Sequence, residues 1–283
     1  MARPQAPRVP ISRWQDGELR AADDQVAAEE PLQLALDGQP LSVIMRTPGS
    51  DIELALGLLS AEHVIRSLED VRQIRISAES GEEEAAVPVR TDLLESNHID
   101  VALGTAAPRR PERSFFASSA CGVCGATTVE ALAHTYPPLA SGPAVDAATL
   151  PKLADRLRER QRLFETTGGL HAAGLFSVEG ALITLREDIG RHNAVDKVVG
   201  RAVLDRALPL STRILAVSGR AGYEVVQKAV AAGIPMLVAV GAPSSLAVAT
   251  ATRFGLTLVG FLRAERFNVY SAPERLRSAA RLA

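Results

Sequence analysis

Residues 213–261, RILAVSGRAGYEVVQKAVAAGIPMLVAVGAPSSLAVATATRFGLTLVGF, decide the fold. Residues 213–217, 236–240 and 256–261 are short apolar runs of the kind that lie in a sheet covered on both faces, and residues 222–232 and 244–254 between them have helical composition. The unit repeats weakly: Leu215 and Leu237 stand 22 residues apart, as do Gly233 and Gly255, and each glycine falls where a helix ends before the next strand. Right-handed crossovers make such strands parallel, so the loops that follow them gather on one edge, where open α/β sheets bind ligands. Three loops meet there: Ser218-Gly219-Arg220-Ala221, Gly241-Ala242-Pro243-Ser244-Ser245, and the segment after Gly260. Their small residues, hydroxyls and free N–H groups suit a phosphate, and Arg220, Arg263 and Arg266 would add charge-assisted bonds to a pyrophosphate. Taken singly, each arginine is as readily a solvent-facing cation.

Upstream, a helix over residues 191–206 follows a hairpin of strands 173–178 and 181–186 around Glu179-Gly180. Residues 146–162 read as one helix with Leu150, Leu153 and Leu157 on a single face. Nearer the start, residues 32–36 and 41–45 form a hairpin about Asp37-Gly38-Gln39-Pro40. Ser50-Asp51 then caps an amphipathic helix through Leu54, Leu58, Leu59 and His63 that ends near Ile65. Residues 71–76, 86–89 and 99–103 are strands joined by an acidic loop, Glu79 to Glu84, and residues 106–111 read as a linker. The expected division is a partly disordered segment 1–28, a small α+β domain 29–108, and an α/β domain 109–283.

The chain has 283 residues, 47% of them apolar, enough for a substantial core. Its 31 basic and 33 acidic residues nearly balance and aromatics are only 4%, which argues against a nucleic-acid partner. Residues 1–14 contain no apolar signal region, and the apolar region 229–251 is broken by Gly233, Pro235, Gly241 and Pro243, so no membrane span is expected. With only two cysteines and no disulfide framework, the reducing cytoplasm is the expected compartment.

Those two cysteines stand together in Cys121-Gly122-Val123-Cys124-Gly125, just before a helix-like run, residues 126–134. Backbone N–H groups and the positive end of a helix dipole favour thiolate over thiol, so the position suits a nucleophilic sulfur. Three chemistries fit: half of a zinc site, a redox pair and a sulfur-carrying persulfide. Zinc fits least well, because there is no second Cys-x-x-Cys and the five histidines, His63, His98, His134, His171 and His192, show no paired spacing. Two inert cysteines in a tight turn remain the plain alternative.

Asp188, His192 and Asp196 stand four residues apart where the 191–206 helix begins, hence on one helix face. A carboxylate there would orient His192 as an acid/base group, the three would hold a metal, or the set is a helix cap with surface ion pairs. His171 follows Thr166-Thr167-Gly168-Gly169-Leu170, a turn leading into a strand, and is a supporting or a structural histidine.

Ser119-Ala120-Cys121-Gly122-Val123-Cys124-Gly125, Thr167-Gly168-Gly169-Leu170-His171, residues 188–197 (DIGRHNAVDK), and Val217-Ser218-Gly219-Arg220 through Tyr223-Glu224 together resemble the FdhD/NarQ family of formate dehydrogenase accessory sulfurtransferases. Pro31-Leu32, Asp37-Gly38, Glu53-Leu54-Ala55 and Val259-Gly260-Phe261 extend the resemblance over residues 29–276. It implies a cytosolic homodimer that takes persulfide sulfur from a cysteine desulfurase and delivers it to the bis(molybdopterin guanine dinucleotide) molybdenum cofactor of formate dehydrogenase. It also implies Cys121 as persulfide carrier, Cys124 as secondary thiol, and a guanine nucleotide (GDP-like) site on Phe261, Leu262, Arg263, Ala264, Glu265 and Arg266, with no resident metal. His171, His192, Ser218 and Arg220 are supporting candidates. The implied fold is a three-layer, cytidine deaminase-like C-terminal domain with a mixed sheet, plus the smaller α+β domain. Gly222 departs from the serine usual after Arg-Ala, and Ala264-Glu265 lacks the Pro-Gly of some members. Two rivals are a zinc-dependent nucleoside deaminase, which needs His-x-Glu upstream of Pro-Cys-x-x-Cys and finds neither here, and a non-catalytic cofactor-binding chaperone.

Overall fold

A computed structural model describes residues 4–77, 87–93, 96–105, 132 and 135–278. Arg8–Gln15 (β1) and Glu18–Gln25 (β2) pair antiparallel from Arg8 with Gln25 to Gln15 with Glu18. This hairpin stands in place of the irregular segment expected over residues 1–28. Its polar strands bury little, but Asp16 and Gly17 take φ of 53° and 85°, the two-residue turn that an Asp-Gly pair favours.

Glu30–Leu36 (β3) and Gln39–Arg46 (β4) make the expected hairpin, with Asp37 and Gly38 at φ 51° and 75°. Asp51–Ala61 (α1) follows, and here the cap differs: Ser50 is left-handed and makes no side-chain cap bond. The Asp51 carboxylate turns instead to the buried Arg46 guanidinium, accepting from Nε and Nη2 at 2.9 Å each. Val71–Ser77 (β5), Val89–Leu93 (β6) and His98–Leu103 (β7) complete a five-stranded sheet ordered β4-β3-β7-β5-β6. The strand expected over 86–89 is displaced toward residue 93, and the acidic loop 79–84 and the linker 106–111 lie outside the described residues. Leu32, Leu34, Ile74, Ile76, Ile99 and Val101 form this half's core with Ile52, Leu56 and Leu59 of α1.

Val145–Asp146 (β8) precedes a break that the periodicity hides: the single helix expected over 146–162 is two, Leu150–Arg158 (α2) and Arg162–Thr167 (α3), with Gln161 non-helical at ψ 70° between them. His171–Ser177 (β9), Leu182–Asp188 (β10), Arg191–Leu204 (α4), Arg213–Val217 (β11), Tyr223–Ala231 (α5), Met236–Ala239 (β12), Ser245–Phe254 (α6) and Thr257–Gly260 (β13) follow the order read from the sequence. Asn268–Ser271 (β14) is an edge strand the sequence reading lacked, and Leu276–Arg277 (β15) pairs with β8.

The six-stranded sheet runs β10-β9-β11-β12-β13-β14 and is mixed, parallel only through β11, β12 and β13. The sequence repeat is its register: Leu215 pairs with Leu237, and Leu237 with Leu258. Gly233 and Gly255 close their helices at φ 72° and 65°, which glycine adopts without a Cβ penalty. One face packs Val195, Val198, Val226, Ala251 and Phe254 of α4, α5 and α6. The other packs Leu150, Leu153 and Leu157 of α2, so the sheet lies between two helical layers.

Helices α1 and α4 fasten the five-stranded half to the six-stranded half. A Cβ on Gly57 would lie 1.9 Å from the Asp196 carbonyl oxygen, and one on Gly200 would lie 1.7 Å from that of Glu53, so the two helix backbones touch. Among the described residues no helix is long and apolar enough to cross a membrane.

Candidate functional site

The loops after β11, β12 and β13 stack on one another at the edge of the sheet. Gly241 N donates to Gly219 O, Ala221 N to Ala242 O, Ser244 N to Ala221 O and Phe261 N to Gly241 O, at 2.9 to 3.1 Å. No side chain fits between them, since a Cβ on Gly241 would lie 2.8 Å from the Gly219 oxygen. Because β9 runs antiparallel to β11, its first residue, His171, arrives at this same edge. The Ser218 hydroxyl accepts from Ala172 N at 2.9 Å, which leaves its own proton to donate elsewhere.

Beside the stacked loops, toward α2, lies a cavity of about 660 Å³. From the sheet edge it is lined by His171, Ser218, Val240, Leu262, Arg263 and Ala264, and from α2, α3 and the turn after them by Leu157, Arg158, Gln161, Phe164, Gly168 and Gly169. Its size is in the range of small-molecule sites, and its mixture of apolar walls with a few polar groups is what such sites use to fix orientation. Arg263 is held by donating Nη1 to Val240 O at 2.8 Å and to Leu262 O at 2.7 Å. The Arg158 guanidinium stacks 4.4 Å from the centre of the Phe164 ring. Burial lowers the His171 pKa, Arg191 and Arg220 lower it further, and Asp188 acts in the opposite sense.

The sequence candidates divide. His171, Ser218, Leu262, Arg263 and Ala264 come together on the cavity, whereas Phe261, Glu265, Arg266, Arg220 and His192 are not among its lining residues. Phe261 is exposed and left-handed at φ 53°, a strained state for an aromatic residue, and it marks the point where the chain turns off β13. Cys121, Cys124 and His134 lie outside the described residues. Leu157, Arg158, Gln161 and Phe164 were not singled out as site residues. They enter the site because the chain breaks between α2 and α3, where the Glu187 carboxylate accepts from Leu163 N and Phe164 N at 3.0 and 2.8 Å.

His192 is not oriented by Asp188 or Asp196. Its Nδ1 lies 3.1 Å from Glu224 Oε2, on α5, and burial, Arg191 and Lys228 push the imidazole pKa down to about 3. The two aspartates are architectural. Asp188, fully buried, accepts from Thr47 N, Gly190 N and Asn193 Nδ2 and pairs with Lys197 Nζ at 2.7 Å. Asn193 and Lys197 then reach across to Met45 O and Thr47 O, which pins the end of β4 to the start of α4. Asp196 receives both bonds of Lys228 Nζ, at 2.7 and 2.9 Å. Burial pushes Asp196 up to about 6 against the pull of Lys228, and Lys228 is itself raised, burial notwithstanding, by Asp196 and Glu224. The pair is ionised at neutral pH. Among the described residues no three His, Cys, Asp or Glu side chains converge as a metal-binding group.

Comparison with known proteins places this geometry in company. The model of the FdhD/NarQ family matches residues 27–277. The chain is similar to proteins named sulfur carrier protein FdhD: 50% identical to that of Nocardia farcinica, covering 93% of this chain and 92% of the relative. It is 43% identical to that of Sulfolobus acidocaldarius, covering 95% and 98%. A crystal structure described as a formate dehydrogenase accessory protein from Desulfotalea psychrophila superposes with a TM-score of 0.74 at 28% identity, covering 97% of this chain and all of that one.

Proposed function

The chain belongs to the FdhD/NarQ family, and from that premise we propose that it is a sulfurtransferase that carries sulfur as a persulfide on Cys121. The observation that carries the reading is the near-complete match to proteins named sulfur carriers in a chain whose only two thiols form one Cys-x-x-Cys. The Cys121 thiolate attacks the terminal sulfur of a cysteine desulfurase persulfide. The donor's S–S bond breaks, its cysteine leaves as thiolate, and Cys121–S–SH remains. Release as sulfide needs two electrons. Cys124 supplies them by attacking Cys121 Sγ, forming the Cys121–Cys124 disulfide and expelling the terminal sulfur as HS⁻.

The acceptor is the bis(molybdopterin guanine dinucleotide) molybdenum cofactor, the cargo of the reaction, and formate dehydrogenase is the client. The cavity at the sheet edge is the nucleotide site: Ser218, Arg263 and the backbone of the stacked loops offer donors to phosphate oxygens. A cytoplasmic homodimer is the form proposed, and the three layers about a mixed sheet support a cytidine deaminase-like reading of that half.

Incubating the reduced protein with a cysteine desulfurase and cysteine, then measuring masses of intact protein and peptides, tests the carrier role. A gain of about 32 Da, one sulfur, is expected on Cys121 and is absent from Cys121→Ala. A wild-type chain that gains no sulfur, or a variant that gains as much, leaves only the non-catalytic chaperone.

A further inference from the structure

We infer that the α2–α3 wall of the cavity is a slot for a planar nucleobase whose edge is read by Gln161, an inference that rests on the nucleotide reading of the cavity. Gln161 is 5% exposed, yet it lines the cavity. It occupies the N-cap position of α3 and makes no bond back to the helix. The helix start is capped instead by Glu187, which reaches over from β10 and accepts from Leu163 N and Phe164 N with its two carboxylate oxygens. The Gln161 carboxamide takes no part in capping, and among the described residues it closes no hydrogen bond. Nothing among the described residues takes up its bonding capacity, which is left for whatever fills the cavity.

A carboxamide offers one donor and one acceptor side by side in a plane, the complement of adjacent acceptor and donor atoms on the edge of a heterocycle. The surroundings suit the ring itself. Leu157 and Phe164 supply apolar surface, and the Arg158 guanidinium stacked on Phe164 adds a flat, cationic one. Ser218, His171 and Arg263 from the sheet edge are left for the phosphates. The cavity volume, about 660 Å³, is of the size that holds a whole nucleotide.

The test is calorimetric titration of the full chain with GDP, ADP, CDP and inorganic pyrophosphate. Wild type is expected to bind at least one purine diphosphate more tightly than CDP or pyrophosphate. Gln161→Leu is expected to weaken that purine about tenfold to a hundredfold while leaving pyrophosphate unchanged, the scale of a lost bidentate base contact. Gln161→Glu, which keeps acceptors and loses the donor, is expected to alter the ratio of GDP to ADP affinity. Circular dichroism checks that both variants fold, and the comparison among ligands on wild type needs no variant. Wild-type affinity and wild-type purine preference in both variants overturn the slot. A wild-type chain that binds pyrophosphate but gains nothing from any base also overturns it and spares the anion half of the site. One that binds none of the four overturns the nucleotide reading together with the slot.

Discussion

Replacing Lys228 with methionine probes the buried pair behind the site. Lys228 Nζ lies 2.7 and 2.9 Å from the two Asp196 oxygens and 3.9 Å from Glu224, with side chains only 2% exposed for Lys228 and 4% for Asp196. Removing the ammonium leaves a buried carboxylate without its cation, a loss of about 3–5 kcal/mol where one partner of such a pair is deleted. For a chain of this size that lowers the melting temperature by roughly 5–8 °C. The deficit depends on pH, and its sign follows from Asp196. Burial already raises its pKa from 3.8 to about 6 with Lys228 acting against the shift, so without Lys228 it rises further. An acid whose folded pKa exceeds its unfolded value gives stability that is whole below the unfolded pKa and is lost as pH rises through the folded one. The difference between Lys228→Met and wild type is therefore small near pH 5 and full at pH 8. Urea unfolding followed by circular dichroism at both pH values measures it. An equal deficit at both, or none at either, refutes the reasoning; the double variant Asp196→Leu/Lys228→Met is expected to recover most of the loss, since neither charge of the pair remains.

Gly57→Ala places a methyl 1.9 Å from the Asp196 carbonyl oxygen, so α1 and α4 must separate, at a cost of about 3 kcal/mol or more. A urea midpoint equal to wild type would show that the helices do not touch there. The His192 imidazole, held down to about 3 chiefly by burial, is expected to stay neutral at pH 5 in an NMR titration, and a midpoint near 6.5 contradicts that burial. A base with a depressed folded pKa contributes stability that is whole above its unfolded value and is lost as pH falls toward the folded one. His192→Gln is therefore expected to flatten the stability curve between about pH 6.5 and 4.

How much of this was legible in the sequence follows the range of the interactions. The register of β11, β12 and β13 could be read from Leu215, Leu237, Gly233 and Gly255 because a repeat states its own spacing, and Ser218, Arg263 and the loop glycines followed from it. Polar composition makes residues 1–28 look irregular and hides the β1–β2 hairpin, although Asp16-Gly17 carries a turn signal stronger than the polarity around it. Ser50 was read as a cap by residue type, but Arg46 competes for Asp51 and the chain enters α1 through a left-handed residue.

The motif DIGRHNAVDK shows why a polar cluster on one helix face does not declare its own role. Asp188, His192 and Asp196 are spaced for a catalytic or metal-binding set, yet each is engaged elsewhere: Asp188, which is the last residue of β10 and not part of the helix, by Thr47 just after β4 and by Asn193 and Lys197 of α4, Asp196 by Lys228 of α5, and His192 by Glu224 of α5. Spacing reports which residues share a face and is silent about what that face meets. Here α4 is buried against both α1 and the sheet, so its polar side chains are spent on joining the two halves, and the groups left to meet a ligand come from elements around it. Gln161 is the sharpest case. No local pattern marks it, because it reaches the cavity only where the chain breaks between α2 and α3, a break held by Glu187 from the strand before α4, and only the folded chain brings these together.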